Sequence, residues 1–163
     1  MEQVLKEKLE LFAAQYPKFA DGRIDYSHAH DVAAVVVFVM YDEKLLLLKR
    51  SDQVRSYKNK WDVIAGFYDE FVEPEEKALE ELREEAGIVA EDIELLKPGK
   101  LFARHDEALN GTFYNVPVLV RLKTQKEIVL DFEHTEYAWT TFDQLKNYDL
   151  SVQFSAEVLD MFE

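Results

Sequence analysis

The chain has 163 residues, with 19 Lys plus Arg against 33 Asp plus Glu, for a formal charge of −14. That length suits one domain with a sizeable core, and 48% hydrophobic with 13% aromatic residues argues against disorder. The absence of cysteine excludes disulfides, thiolate nucleophiles and sulfur-ligated zinc, and the acidity argues against binding a nucleic acid polymer through its phosphates, each of which needs a facing cation.

The N-terminus, Met1-Glu2-Gln3-Val4-Leu5-Lys6-Glu7, alternates charge and lacks the apolar core of a signal peptide. Leu5, Leu9, Phe12, Tyr16 and Phe19 are spaced 4, 3, 4 and 3, which predicts one face of a helix, with Pro17 disturbing its end. Asp21-Gly22-Arg23 signals a turn, and residues 24–31 are polar and irregular. The longest apolar run, residues 32–41, is too short for a membrane-spanning helix of roughly 20 residues. It predicts a buried strand over 33–41 in a protein expected to be soluble and cytoplasmic. Leu45-Leu46-Leu47-Leu48-Lys49-Arg50 returns as the second arm of a hairpin. Arg55, Lys58 and Lys60 read as solvated loop charges.

Trp61 to Gly66 reads as a short strand ending in a glycine turn, followed by a loop over 67–73. Pro74 opens a helix, because its missing N–H is not needed at the first helical position. Glu75 and Glu76 suit the positive end of the helix dipole, Gly87 stops the helix, and Ala78, Leu82 and Ala86 with Leu79 form its apolar stripe. Further strands are expected over 93–96, 100–104, 113–122, 128–132 and 137–141. Asn110-Gly111 is a turn, and Pro117 marks an edge or a bulge. Residues 142–148 and 155–162 read as helices. The whole pattern is that of a single α/β (α+β) domain with a mixed sheet between helices.

The central helix is unusually acidic. Glu76/Glu80, Glu80/Glu84 and Glu81/Glu85 are like-charge neighbours four apart, each costing roughly 0.2–0.5 kcal/mol. A solvated face is one explanation. The other is that Glu81, Glu84 and Glu85 converge on a hard divalent cation, since carboxylates one turn apart supply the oxygen ligands that Mg²⁺ or Mn²⁺ prefers. Composition does not choose between them. The four histidines, His28, His30, His105 and His134, are scattered and suggest no metal site of their own. Tyr57, Phe67, Tyr68 and Tyr114 could stack on a base but default to core or rim, and Trp61 and Trp139 to packing.

Residues 66–88 resemble the Nudix box, G-x5-E-x7-R-E-U-x-E-E-x-G-U, where U is a bulky aliphatic residue. Gly66, Glu81-Leu82, Glu84-Glu85 and Gly87-Ile88 match without gaps. The leucine-rich strand ending in Lys49-Arg50, the Trp61…Ala65-Gly66 approach and Glu133-x2-Glu136-x2-Trp139 look like the segments that flank the box in that family. The resemblance implies a Nudix fold over residues 31–163, preceded by a helix and irregular lead-in over 1–30. Two positions depart: Val72 stands where the box glutamate belongs, and Glu80 where the arginine that helps hold the glutamates belongs. Arg83 or Lys77 could substitute for that arginine, and Asp69 or Glu73 for the glutamate.

The resemblance further implies hydrolysis of a diphosphate linkage in a nucleoside diphosphate joined to another moiety. Mg²⁺ or Mn²⁺ would be held by Glu81, Glu84 and Glu85, with Glu84, Glu85, Glu133 and Glu136 as candidate catalytic carboxylates. Arg50 and Arg104 are candidate phosphate contacts, and Gly66 and Gly87 are structural box residues. The partner implied is a small phosphorylated substrate. Self-association is left open, because the N-terminal apolar stripe could support a homodimer or cover the domain's own core. The departures admit an alternative, a Nudix-like nucleotide-binding or regulatory module without turnover. An isopentenyl diphosphate isomerase, which resembles this family but relies on a catalytic cysteine, is excluded by composition.

Overall fold

The structure is a computed structural model describing residues 1–163. Two long apolar strands lie parallel in the middle of an eight-stranded mixed sheet. β1 (Val32–Tyr41) and β7 (Gly111–Leu122) pair from Val32↔Phe113 to Met40↔Arg121. Each gives its other edge to two shorter strands. β2 (Lys44–Arg50) leaves β1 through a tight hairpin at Asp42, whose φ is 51°, and pairs only with Met40 and Tyr41. β4 (Ile64–Phe67) takes Ala34 to Val37 instead. On β7, β6 (Phe102–Asp106) covers the first half and β5 (Ile93–Pro98) the second. β3 (Trp61–Asp62) and β8 (His134–Thr140) flank β2.

Both sheet faces are covered, so the central strands are apolar almost throughout rather than alternating. Val35, Val37, Val39, Leu46 and Leu48 pack with α1 (Gln3–Gln15) and α2 (Pro74–Ala86), through Leu5, Leu9 and Phe12 of the first helix and Ala78, Leu82 and Ala86 of the second. Phe38, Met40, Leu45 and Leu47 face a second cluster built on Leu145, Leu150, Val158 and Phe162. The stripe of α1 therefore covers the domain's own core. No helix is long and apolar enough to cross a membrane.

Several expectations change. The first helix ends at Gln15, so Phe19 lies beyond it and is exposed. Pro17 forbids continuation. The strand expected at 100–104 runs over Phe102–Asp106. Residues 128–132 form no strand; Val129 N–H instead donates to the Ala86 carbonyl at 3.1 Å, closing the end of α2. The two C-terminal helices are 3₁₀ segments, Phe142–Asn147 and Ala156–Phe162. Pro117 is neither at an edge nor in a bulge. It sits in central β7 opposite Val36, at the point where the outer partner changes from β6 to β5. Its carbonyl accepts from Gly99 N–H at 2.8 Å on that side, and the donor it lacks would point the same way.

Candidate active site

Helix α2 turns its glutamates in two directions. Glu81 and Glu85, four residues apart, share its sheet-facing side and are only 9% and 4% exposed. Glu84, between them in sequence, is exposed. Gly66 on β4 makes room for the first of these carboxylates: a Cβ there would stand 2.1 Å from Glu81 Cδ and Oε1. At the far end, Gly87 adopts φ 66°, and its N–H and that of Ile88 close the last turn on Arg83 and Leu82 carbonyls.

Burial dominates the electrostatics of the pair. It pushes the Glu81 pKa up to about 7, with the Lys77 charge opposing and Glu84, Glu80 and Glu133 adding to the rise. Glu85 is raised well above the ordinary carboxylate value, by burial first, then by Glu81, Glu133 and Asp131. Glu85 Oε2 is buried with no hydrogen-bond partner. The nearest cationic candidate is His134 Nε2 at 3.9 Å, and that ring is oriented by Asp131 Oδ1, 3.0 Å from its Nδ1.

The other expected site residues divide. Glu133 is near enough to raise both buried glutamates. Glu136 stands opposite Lys49 across β2–β8 and pairs with it at 3.1 Å. Arg50 donates through Nε to the Ser56 carbonyl at 3.0 Å, and Arg104 lies over the Phe113 ring while donating to Asp106 at 3.1 Å. Both arginines bear on Asp62, whose carboxyl is raised by burial and lowered by Ser151 and by them. Tyr57 donates to Asp106 at 2.5 Å.

Arg83 does not replace the box arginine. It is exposed, and its nearest carboxylate is Glu84 at 4.0 Å. Lys77 does reach the cluster, with Nζ 2.7 Å from Glu80, 2.9 Å from Asp69 and 4.0 Å from Glu81. Glu73 pairs with the N-terminal ammonium rather than joining it. Sequence reasoning missed Arg23, Asp131 and His134. Asp131 and His134, three apart where β8 begins, were a weak local signal; for Arg23, a turn residue, there was none.

The NUDIX domain family model matches residues 30–162. The chain belongs to that family. No curated protein matches it. Among solved structures, a MutT protein from Methanosarcina mazei Go1 is similar at 22% identity, with 83% of this chain and 92% of that one covered and a TM-score of 0.59. The E. coli dihydroneopterin triphosphate pyrophosphohydrolase is similar at 18% identity over 80% and 93%, with a TM-score of 0.63. A bifunctional NMN adenylyltransferase/ADP ribose pyrophosphatase from Francisella tularensis, complexed with AMP and a Mn ion, matches at 18% identity over 90% of this chain and 42% of its own, with a TM-score of 0.60. At these identities the Nudix fold is what the structures share with this chain.

The donor set suits a hard divalent cation. Glu81 and Glu85 bring buried carboxylate oxygens to one side of α2, and Glu85 Oε2 has no hydrogen-bond partner. No three Asp, Glu or His side chains are already gathered into a metal cage. Glu84, exposed on the same helix, and Glu133 are the carboxylates next to that pair.

Proposed function

We propose that this Nudix protein hydrolyses a diphosphate linkage in a nucleoside diphosphate joined to another moiety, in the cytoplasm, with Mg²⁺ or Mn²⁺ held by Glu81, Glu84 and Glu85. The observation that carries the reading is Glu85 Oε2, buried without a partner beside a second buried carboxylate. An anionic pair left that way is costly unless protonated or matched by a cation. The family match and the pyrophosphohydrolase among the fold relatives support an enzyme acting on phosphoric anhydride bonds.

A bound divalent ion supplies charge neutralisation at the phosphates and a more acidic water. The chain supplies the rest. Gly66 leaves the space in which the Glu81 carboxylate rests. Glu133, close enough to act on both buried glutamates and itself only half-buried, is the carboxylate we assign to accept a proton from the attacking water. Glu136, engaged with Lys49, is the weaker candidate. Arg50 and Arg104 bring positive charge to the Asp62 neighbourhood, where phosphate oxygens could displace their present partners.

The test is Mg²⁺-dependent cleavage followed by separation of the products: ADP-ribose to AMP and ribose 5-phosphate, a dinucleoside polyphosphate to two nucleotides, and a nucleoside triphosphate to its monophosphate and pyrophosphate. Glu84→Gln and Glu85→Gln should each lose roughly a hundredfold or more in turnover. Turnover equal to the parent's defeats the assigned roles. The binding-module reading rests on Val72 and Glu80 standing at box positions. Calorimetry showing tight nucleotide binding without turnover would favour it.

A further inference from the structure

We infer that Arg23 and Lys77 together take over the work of the missing box arginine as positioning residues for the glutamate helix, with the polarity of the box inverted. This rests on the metal-site reading above. The inference makes the lead-in before residue 30, outside the family match, part of the site.

The inversion is visible atom by atom. Glu80, at the arginine's position, divides its carboxylate between two cations: Oε1 accepts from Arg23 Nη2 at 2.8 Å and Oε2 from Lys77 Nζ at 2.7 Å. Both cations also hold the loop that precedes the helix. Lys77 reaches Asp69 Oδ1 at 2.9 Å and Glu70 Oε1 at 3.4 Å, and Arg23 reaches Glu70 Oε1 at 3.2 Å. Lys77 is 2% exposed and has no partners other than these carboxylates and Glu81 at 4.0 Å. An ammonium buried to that degree tolerates the loss of a partner poorly.

The backbone fixes Arg23 relative to that loop. Ile24 N–H donates to the Asp69 carbonyl at 2.8 Å, and the Tyr26 hydroxyl to the Tyr68 carbonyl at 2.8 Å. Arg23 therefore ties the lead-in to the box loop and, through Glu80, to the turn of α2 that carries Glu81. Position 72 has left the polar network: Val72 packs against the main core. An arginine restored at 80 would find no box glutamate at 72, and would put a third cation beside Arg23 and Lys77.

The experiment measures the Mn²⁺ dissociation constant of the metal-free full chain by electron paramagnetic resonance, with melting temperature and steady-state kinetics alongside. Arg23 is partly exposed, so Arg23→Met should fold. It is expected to weaken Mn²⁺ binding about tenfold and lower kcat with little change in KM. Arg23→Lys should keep Mn²⁺ affinity within about threefold of the parent. Glu80→Arg, alone or with Val72→Glu, should weaken binding rather than improve it. Parent-like Mn²⁺ affinity in Arg23→Met overturns the inference, as does a Val72→Glu/Glu80→Arg protein that binds Mn²⁺ more tightly than the parent. If the parent binds Mn²⁺ and loses affinity in Arg23→Met but turns over no nucleotide, the positioning inference stands and the hydrolase reading falls. If the parent binds no Mn²⁺, both fall.

Discussion

Glu81 and Glu85 carry a stability cost that the metal-free protein must bear. Burial raises both, Glu81 from 4.5 to about 7, so the folded chain keeps protons that the unfolded chain has already released. Between about pH 4.5 and 7 the folded state therefore binds more protons, and its stability falls as pH rises. Asp62, raised by burial, adds in the same direction. Glu80 and Asp106, which are lowered, lose their contributions only in more acidic solution. Urea unfolding of metal-free protein should show higher stability near pH 5.5 than near pH 8. Glu81→Gln should flatten that slope and stabilise the metal-free form near pH 8 by on the order of 2 kcal/mol. Equal slopes in parent and variant would contradict the assignment. Gly66→Ala should act through the same carboxylate. The added methyl needs the space of a flexible side-chain end, so it should reduce Mn²⁺ affinity about tenfold while shifting the melting temperature only slightly. At this scale, spacing offered Glu81, Glu84 and Glu85 as one set beside the reading of a solvated face, and the box resemblance favoured the set. Spacing could not show that Glu84 faces solvent, nor that a turn arginine some sixty residues before the glutamates shares their network.

Helix α2 was legible because its punctuation is local: Pro74 at the first position, two glutamates in the first turn and Gly87 at the end. That last residue is needed twice, for its φ of 66° and for the 3.1 Å that a Cβ would leave to Val129. Gly87→Ala should cost about 1–2 kcal/mol in denaturant unfolding; a neutral result would mean that the stop is not strained. Elements whose form depends on distant partners were read less well. Residues 128–132 look like a strand, yet they serve as a cap on α2. The C-terminal segments carry apolar residues at helical intervals, but wind as 3₁₀ turns against Phe38 and Leu47. Pro117 reads as an edge signal because a missing donor is usually tolerated only there. The sheet solves the same problem by parting β5 from β6 beside it.

For the molecule as a whole, the family match begins at residue 30, but the core begins at Leu5. Leu5, Leu9, Phe12, Ile24 and Tyr26 all belong to the same apolar cluster as β1 and α2. A chain trimmed to residues 31–163 should lose several kcal/mol of burial. Its cooperative melting transition should fall by more than about 10 °C or disappear; a parent-like transition would show that the lead-in is an independent appendage. The architecture itself, a mixed sheet covered on both faces, was apparent from the order of apolar runs and helical stretches. The strand order was not, because pairing of β1 with β7 depends on contacts far apart in sequence.

That pairing also bears on how the chain reaches this state. β1 and β7 join in parallel across about eighty intervening residues, and closing so large a loop has a high entropic barrier. The β1–β2 and β6–β7 hairpins are local and can form early, whereas the seam between them must wait for most of the chain to be in place. Refolding should therefore be slow for the size, with Val37→Ala and Val118→Ala, at one pairing on that seam, slowing it to a similar extent in stopped-flow traces. During synthesis the first half of the sheet would remain without its central partner until β7 leaves the ribosome, a period in which its apolar edge is open to other chains.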